Sequence, residues 1–123
     1  MDVFRDISTE LAALLDKAEE LDWSYSTWIQ HDGRTLAEME THSPAGEHFI
    51  MTIEFNKENQ AETFIKDLRD YSESFDVDEH VEMWIESRGK NGVPETAREL
   101  VEDAEAIDAM IKELLEALEA VGG

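Results

Sequence analysis

Between Asp67 and Glu86 the chain places eight carboxylates beside one Arg and one His. Carboxylates at such density offer three chemistries: cation binding, general acid–base work, or a surface of fixed negative charge. Cation binding is the most demanding. An EF-hand loop beginning at Asp76 would need Gly at its sixth position and Glu at its twelfth. Those positions hold Val81 and Ser87, so the motif fails. Acid–base catalysis needs a paired partner, and none stands at a recognisable spacing. Fixed charge asks only for a rigid support, and the same stretch supplies it with Phe75, Val77, Val81, Met83, Trp84 and Ile85. That apolar content separates a folded acidic surface from an acidic tail.

Other reactive residues give no constellation. His31, His42, His48 and His80 form neither HExxH nor a paired His motif. His80, one turn before Trp84, reads as a packing or helix-surface residue. With no cysteine, disulfides, thiolate zinc sites and thiol nucleophiles are excluded. GxSxG and P-loop patterns are absent. Gly89-Lys90-Asn91-Gly92 reads as a turn. No catalytic residue, metal ligand or cofactor is expected.

Charge sets the class of partner. Thirty-one acidic against ten basic residues leave a formal charge of −21 on 123 residues. Such charge opposes compaction, repels phosphates and anionic membranes, and attracts basic proteins. Direct nucleic-acid or membrane binding is therefore not expected. The start, MDVFRDISTE, lacks the apolar run of a signal peptide. No stretch approaches the roughly 18 apolar residues of a membrane span. A cytoplasmic protein of one domain, residues 1–123, is the expectation. Halophilic adaptation also raises acid content, although Glu outnumbers Asp by 20 to 11 here.

The elements that must position these acids follow from periodicity. Ile7, Leu11, Leu14, Leu15, Ala18 and Leu21 make one helical stripe, capped by Asp6 or Ser8. Strands are expected over Ser24–Gln30, Thr35–Thr41 and Glu47–Phe55, joined by turns at Asp32-Gly33 and Ser43-Pro44-Ala45-Gly46. A helix over Asn59–Ser74 buries Phe64, Ile65, Leu68 and Tyr71. A short helix capped by Asp78 runs to about Ser87, with Val81, Trp84 and Ile85 inward. Pro94 suits the first turn of a last helix reaching about Ala120. The fold class is α+β: an N-terminal helix, a three-stranded antiparallel sheet, then three helices including a long C-terminal one. In that last helix Ala97, Leu100, Ala104, Ile107, Ile111, Leu114, Leu118 and Val121 repeat at heptad spacing. The seam either packs on the chain's own core or pairs two copies as a homodimer. Val101, Met110 and Leu115 widen it beyond a strict coiled-coil stripe, which favours the former.

The acids then fall on two helical faces. Glu79, Glu82 and Glu86 lie together on the short helix. Glu95, Glu99, Glu102, Asp103, Glu105, Glu113, Glu116 and Glu119 accompany the long one, against only Arg98 and Lys112 as bases. Asp70, Glu73, Asp76 and Asp78 extend the acidic surface backwards. A solvated helix face explains any single member but not the missing bases, since ordinary surfaces alternate sign at i, i+4. Carboxylates four apart on a helix rise by roughly 6 Å. Phosphates along a DNA strand advance by roughly 3.4 Å of axis each. A rigid acidic helix can thus imitate a duplex and occupy the basic channel of a nucleic-acid-binding protein. Arg88, Lys90 and Arg98 form the one basic concentration, read as internal pairing. On the sheet, alternation puts Trp28 on a face with Ser24, Ser26 and Gln30. If that face is open, Trp28 and Ile50 form an apolar spot beside Glu38, Glu40 and Glu54, a candidate hot spot for a generic interaction module such as an antitoxin, immunity or regulatory partner. If the first helix covers that face, Trp28 is core.

The run from Phe75 to Glu86, followed by Gly92-Val-Pro94 and by Arg98-Glu-Leu-Val-Glu-Asp-Ala104, resembles small acidic proteins of bacterial phages and mobile elements. The resemblance covers the C-terminal half. It implies a context in which such proteins block host defence, some of them by DNA mimicry. It transfers no residue role. The function expected is a non-catalytic acidic inhibitor of anti-restriction or anti-CRISPR type, bound to a basic nucleic-acid-binding protein. The contact residues expected are Asp70, Glu73, Asp76, Asp78, Glu79, Glu82, Glu86, Glu95, Glu99, Glu102 and Asp103, with Trp28 as the aromatic candidate.

Overall fold

A computed structural model describes residues 2–86 and 96–122. In order, the elements are β1 (Asp2–Val3), α1 (Thr9–Glu20), β2 (Ser24–Ile29), β3 (Thr35–His42), β4 (His48–Phe55), α2 (Gln60–Ser74), α3 (Val77–Glu86) and α4 (Ala97–Gly122). The fold is α+β, with the four strands antiparallel in the order β1-β2-β3-β4. The expected meander is β2-β3-β4. The strand missing from that expectation is β1, which adds two residues at the edge through Asp2↔Ile29 and Val3↔Trp28.

Alternation decides which side of the sheet is core. Ala37 and Met39 on β3, with Phe49, Met51, Ile53 and Phe55 on β4, turn inward and are buried. Against them pack Leu11, Leu14, Leu15 and Ala18 of α1, then Phe64 and Leu68 of α2. Each of the larger side chains contributes about 1.5–3 kcal/mol by leaving water. Edge-to-face rings knit the layers, Trp23 on Phe49 and Phe4 on Phe55.

Helix α4 touches α1, α2 and α3. Its seam residues Ala104, Ile107, Ile111, Leu114 and Leu118 are all buried within the chain. Those side chains are spent on this core, so a homodimer built on the same seam would first have to uncover them. Leu100 is half-buried and Val121 exposed.

Helix ends follow the sequence with shifts of one to three residues. Ser8 caps α1, its hydroxyl accepting the Leu11 N–H at 3.0 Å. Asp76, not Asp78, caps α3: its Oδ1 accepts the N–H groups of Asp78 and Glu79 at 2.9 and 3.2 Å. Thr96 caps α4 through the Glu99 N–H. The two tight turns need glycine, since Gly33 and Gly46 sit at φ 89° and 92°. Asp22, after α1, holds φ 68° without being glycine.

No helix among the described residues is long and apolar enough to cross a membrane. Pro94, Arg88, Lys90, the expected turn at Gly89–Gly92 and the candidate Glu95 lie outside the described residues, as do the side chains of Trp84, Ile85 and Glu86.

Candidate functional site

The corner where α2 ends and α3 begins gathers most of the expected acids. Asp70 and Glu73 are exposed on the last turns of α2, Asp76 on the connection, and Asp78, Glu79 and Glu82 on α3. Asp76 is bonded to its own helix start, as an N-cap must be. Among the described residues no Lys or Arg lies in ion-pair contact with Asp70, Glu73, Asp78, Glu79 or Glu82. Arg69, on the same helix as Asp70 and Glu73, is paired at 2.6 Å with Glu119 of α4. The hydrogen bond to Glu119 raises the Arg69 guanidinium above its ordinary value, and the charges of Glu73 and Asp70 add to it.

On α4, Glu99 and Glu102 are exposed. Arg98 pairs with Glu102 at 3.2 Å, the internal pairing expected of that base. Asp103 does not belong to this surface. It is 6% exposed, and its carboxylate accepts the Ser43 hydroxyl at 2.7 Å and the Ala45 N–H at 3.1 Å. It holds the β3–β4 turn onto α4 instead of presenting charge to solvent.

The same turn carries a second buried carboxylate that its sequence does not advertise. Glu47, 5% exposed, stands 2.8 Å from Nε2 of His80 on α3. A carboxylate accepts, so the facing ring nitrogen donates. Ser43 completes the clasp by accepting the Glu47 N–H at 2.9 Å. One turn therefore ties α4 through Asp103 and α3 through Glu47. His80 is a packing residue here, its ring 5.5 Å from that of Phe75 and 6.1 Å from that of Phe49.

Between this clasp and the α2–α3 corner opens a cleft of about 410 Å³. Phe49, Tyr71, Phe75 and His80 supply rings, Asp76 and Glu79 carboxylates, and Ile50 and Met83 apolar flanks. Ile50 is 45% and Met83 55% exposed. Burial pushes the Tyr71 phenol above its ordinary value. Its lining pairs residues of the acidic stretch with Glu47, His48, Phe49 and Ile50 of the β3–β4 hairpin. That pairing is set by tertiary contact and left no mark in local spacing. Among the described residues, no three of His, Cys, Asp and Glu are grouped as a metal site requires.

Trp28 is remote from this corner. The helices lie on the inner face of the sheet, and Trp28 stands on the outer face between Val3 and Leu36 in register. The first helix does not cover it. Trp28 is half-buried all the same, with its indole N–H sealed from solvent and without a partner among the described residues. Ile50 shares that face, but the pairing Trp28↔Leu36↔Glu54 and Ser24↔Glu40↔Ile50 sets them four residues and two strands apart. Strand geometry makes that roughly 16 Å, with Glu38 and Glu40 between. They are two spots, not one.

Comparison with protein-family models, curated proteins and solved structures finds no match for this chain.

Proposed function

We propose that this protein is a non-catalytic, cytoplasmic acidic inhibitor that binds a basic nucleic-acid-binding protein and takes the place of the phosphate backbone. The observation that carries the reading is the α2–α3 corner. Asp70, Glu73, Asp78, Glu79 and Glu82 stand exposed on two packed helices, with no Lys or Arg among the described residues in ion-pair contact. Rigid charge of one sign gains from counterion release when a basic channel closes on it, as DNA does. Neutralisation by such a partner also relieves the self-repulsion of a chain at −21. The resemblance of the C-terminal half to small acidic proteins of phages and mobile elements supports an anti-defence setting.

The test is capture from a nuclease-treated lysate, scored by whether the captured proteins bind duplex DNA and whether added duplex DNA releases them. A variant carrying Glu73→Lys, Glu79→Lys and Glu82→Lys should lose the capture, and wild-type capture should weaken steeply with salt. Capture unchanged in that variant, or a captured set with no nucleic-acid-binding protein, overturns the proposal.

A further inference from the structure

We infer that the cleft between β4 and the α2–α3 corner receives an arginine side chain presented by an extended segment of the partner. This inference rests on the reading of the chain as the acidic member of a complex, and it names the contact.

The lining fits a guanidinium better than other groups. Four rings meet there, with centroids 6.0 Å apart for Phe49 and Phe75, 6.4 Å for Tyr71 and Phe75, and 5.5 Å for Phe75 and His80. Aromatic faces attract a cation, and the planar guanidinium can also stack on them. Asp76 and Glu79 on the same lining give carboxylates for its N–H fork. Ile50 and Met83 flank the opening with apolar surface suited to the aliphatic stem of an arginine. A purely apolar ligand would leave Asp76, Glu79 and the Glu47–His80 pair in a desolvated wall, and an anion would face three carboxylates in a field of −21.

The edge of β4 supplies the extended segment's backbone partners. Among the described residues β4 is the last strand of the sheet. The Glu54 N–H points away from β3, since it donates to Asp67 of α2 at 2.8 Å. By the two-residue alternation of an antiparallel ladder, His48, Ile50 and Thr52 also turn their N–H and C=O groups outward. Among the described residues no side chain accepts those N–H groups. His48 and Ile50 belong to the cleft wall, so a strand added along this edge would run past the opening and drop one side chain into it.

The experiment is an NMR titration of the full chain with a ten-residue extended peptide carrying one central arginine. Matched peptides carry citrulline, which is neutral and nearly isosteric, or lysine. The expected result is shifts at the His48, Ile50 and Phe75 amides and at the Tyr71 ring. Affinity should fall at least fivefold with citrulline or lysine, and about threefold in Glu79→Gln, a substitution on an exposed side chain that leaves the core alone. Phe75→Leu, checked by its own melting curve, should weaken the arginine peptide and spare no preference for it over lysine. Equal binding of the citrulline or lysine peptide, or shifts confined to the acids of α4, overturns the cleft assignment. The lysate capture reads the broader proposal separately: salt-sensitive capture of DNA-binding proteins that survives Phe75→Leu would leave inhibition standing and remove the cleft from it.

Discussion

Replacing Asp103 by alanine should cost far more stability than replacing any acid beside it. The carboxylate is 6% exposed and accepts two hydrogen bonds, from the Ser43 hydroxyl and the Ala45 N–H. Ser43 is itself buried. In the alanine variant both donors lose their acceptor where water reaches poorly. Hydrogen bonds to a charged group are worth about 1.5–3 kcal/mol each. Some of that is returned because a charge no longer has to be held away from water. We expect a net loss of about 3 kcal/mol for Asp103→Ala. At roughly 3–5 °C per kcal/mol for a chain of this size, the melting temperature falls by about 10 °C. Asp103→Asn keeps one acceptor oxygen for Ala45 and should cost about 1 kcal/mol. The control is Glu105→Ala, an exposed site two residues on, which removes the same unit of charge and no turn contact. Melting by circular dichroism at fixed salt makes the comparison, and amide exchange at Ala45 and Glu47 localises it. If Asp103→Ala melts within about 2 °C of the control, the clasp is not a stabilising feature and the reasoning fails. If Asp103→Ala melts higher, the buried charge is a net burden on an over-acidic chain, which also refutes it.

Other outcomes follow from single observations. Asp22→Gly should raise stability by about 1 kcal/mol, because Asp22 holds a left-handed φ of 68° and its charge opposes the C-terminal end of the α1 dipole; a chemical denaturation midpoint that falls would refute this. The Asp32 carboxyl is held below its ordinary value by the Arg34 backbone N–H and then by the Arg34 side chain. Its folded pKa is therefore below the unfolded one, so the advantage of wild type over Asp32→Asn should be constant above the unfolded value of about 3.9 and shrink as pH falls through the folded one; an advantage that grows on acidification would refute it. Ile111→Ala, at a fully buried seam position, should cost about 2–5 kcal/mol with melting independent of protein concentration, whereas a seam shared between copies would make it concentration-dependent. Added monovalent salt should raise the wild-type melting temperature as it screens a charge of −21, and a flat response would mean the acids are locally compensated.

The parts of the fold legible in the sequence are those written in short periods. Phe49, Met51, Ile53 and Phe55 alternate, and Ile107, Ile111, Leu114 and Leu118 step by three and four, so strand and helix follow from local spacing. β1 carries no such pattern, because two residues cannot show a period. Its charge groups Asp103 with the solvated acids, yet its position argues otherwise: it lies three residues after Leu100 and four before Ile107, on the apolar stripe. An acid on a stripe is the mark of a buried acceptor, which Asp103 is. Glu47 offers no such mark. It stands in a turn just before a strand of an acidic chain, and its partner His80 comes 33 residues later. The cleft is illegible for the same reason, since its walls meet only when β4 and α3 close on one another.

The structure also divides the acids into groups that a charge-reversal experiment must not mix. Asp103 and Glu47 hold the β3–β4 turn, Asp76 caps α3, Asp67 receives an edge N–H of β4, and Glu119 fixes Arg69 between α2 and α4. Reversing any of these attacks the scaffold, and loss of partner binding would then be read wrongly as loss of a contact. Removing an N-cap alone costs about 1 kcal/mol, and a lysine at Asp76 would add a positive charge at the positive end of the α3 dipole. Glu73, Glu79 and Glu82 are exposed and form no ion pair with a Lys or Arg among the described residues, so they can be reversed with the fold kept. Phosphate mimicry predicts that the effect of reversing them is graded, each substitution removing a similar share of the salt dependence, because a channel that recognises charge density does not single out one carboxylate. A cleft that grips one arginine predicts the opposite pattern, with Glu79 outweighing Glu73 and Glu82. Single, double and triple reversals of these three residues, compared by their salt slopes, separate distributed charge from a specific contact.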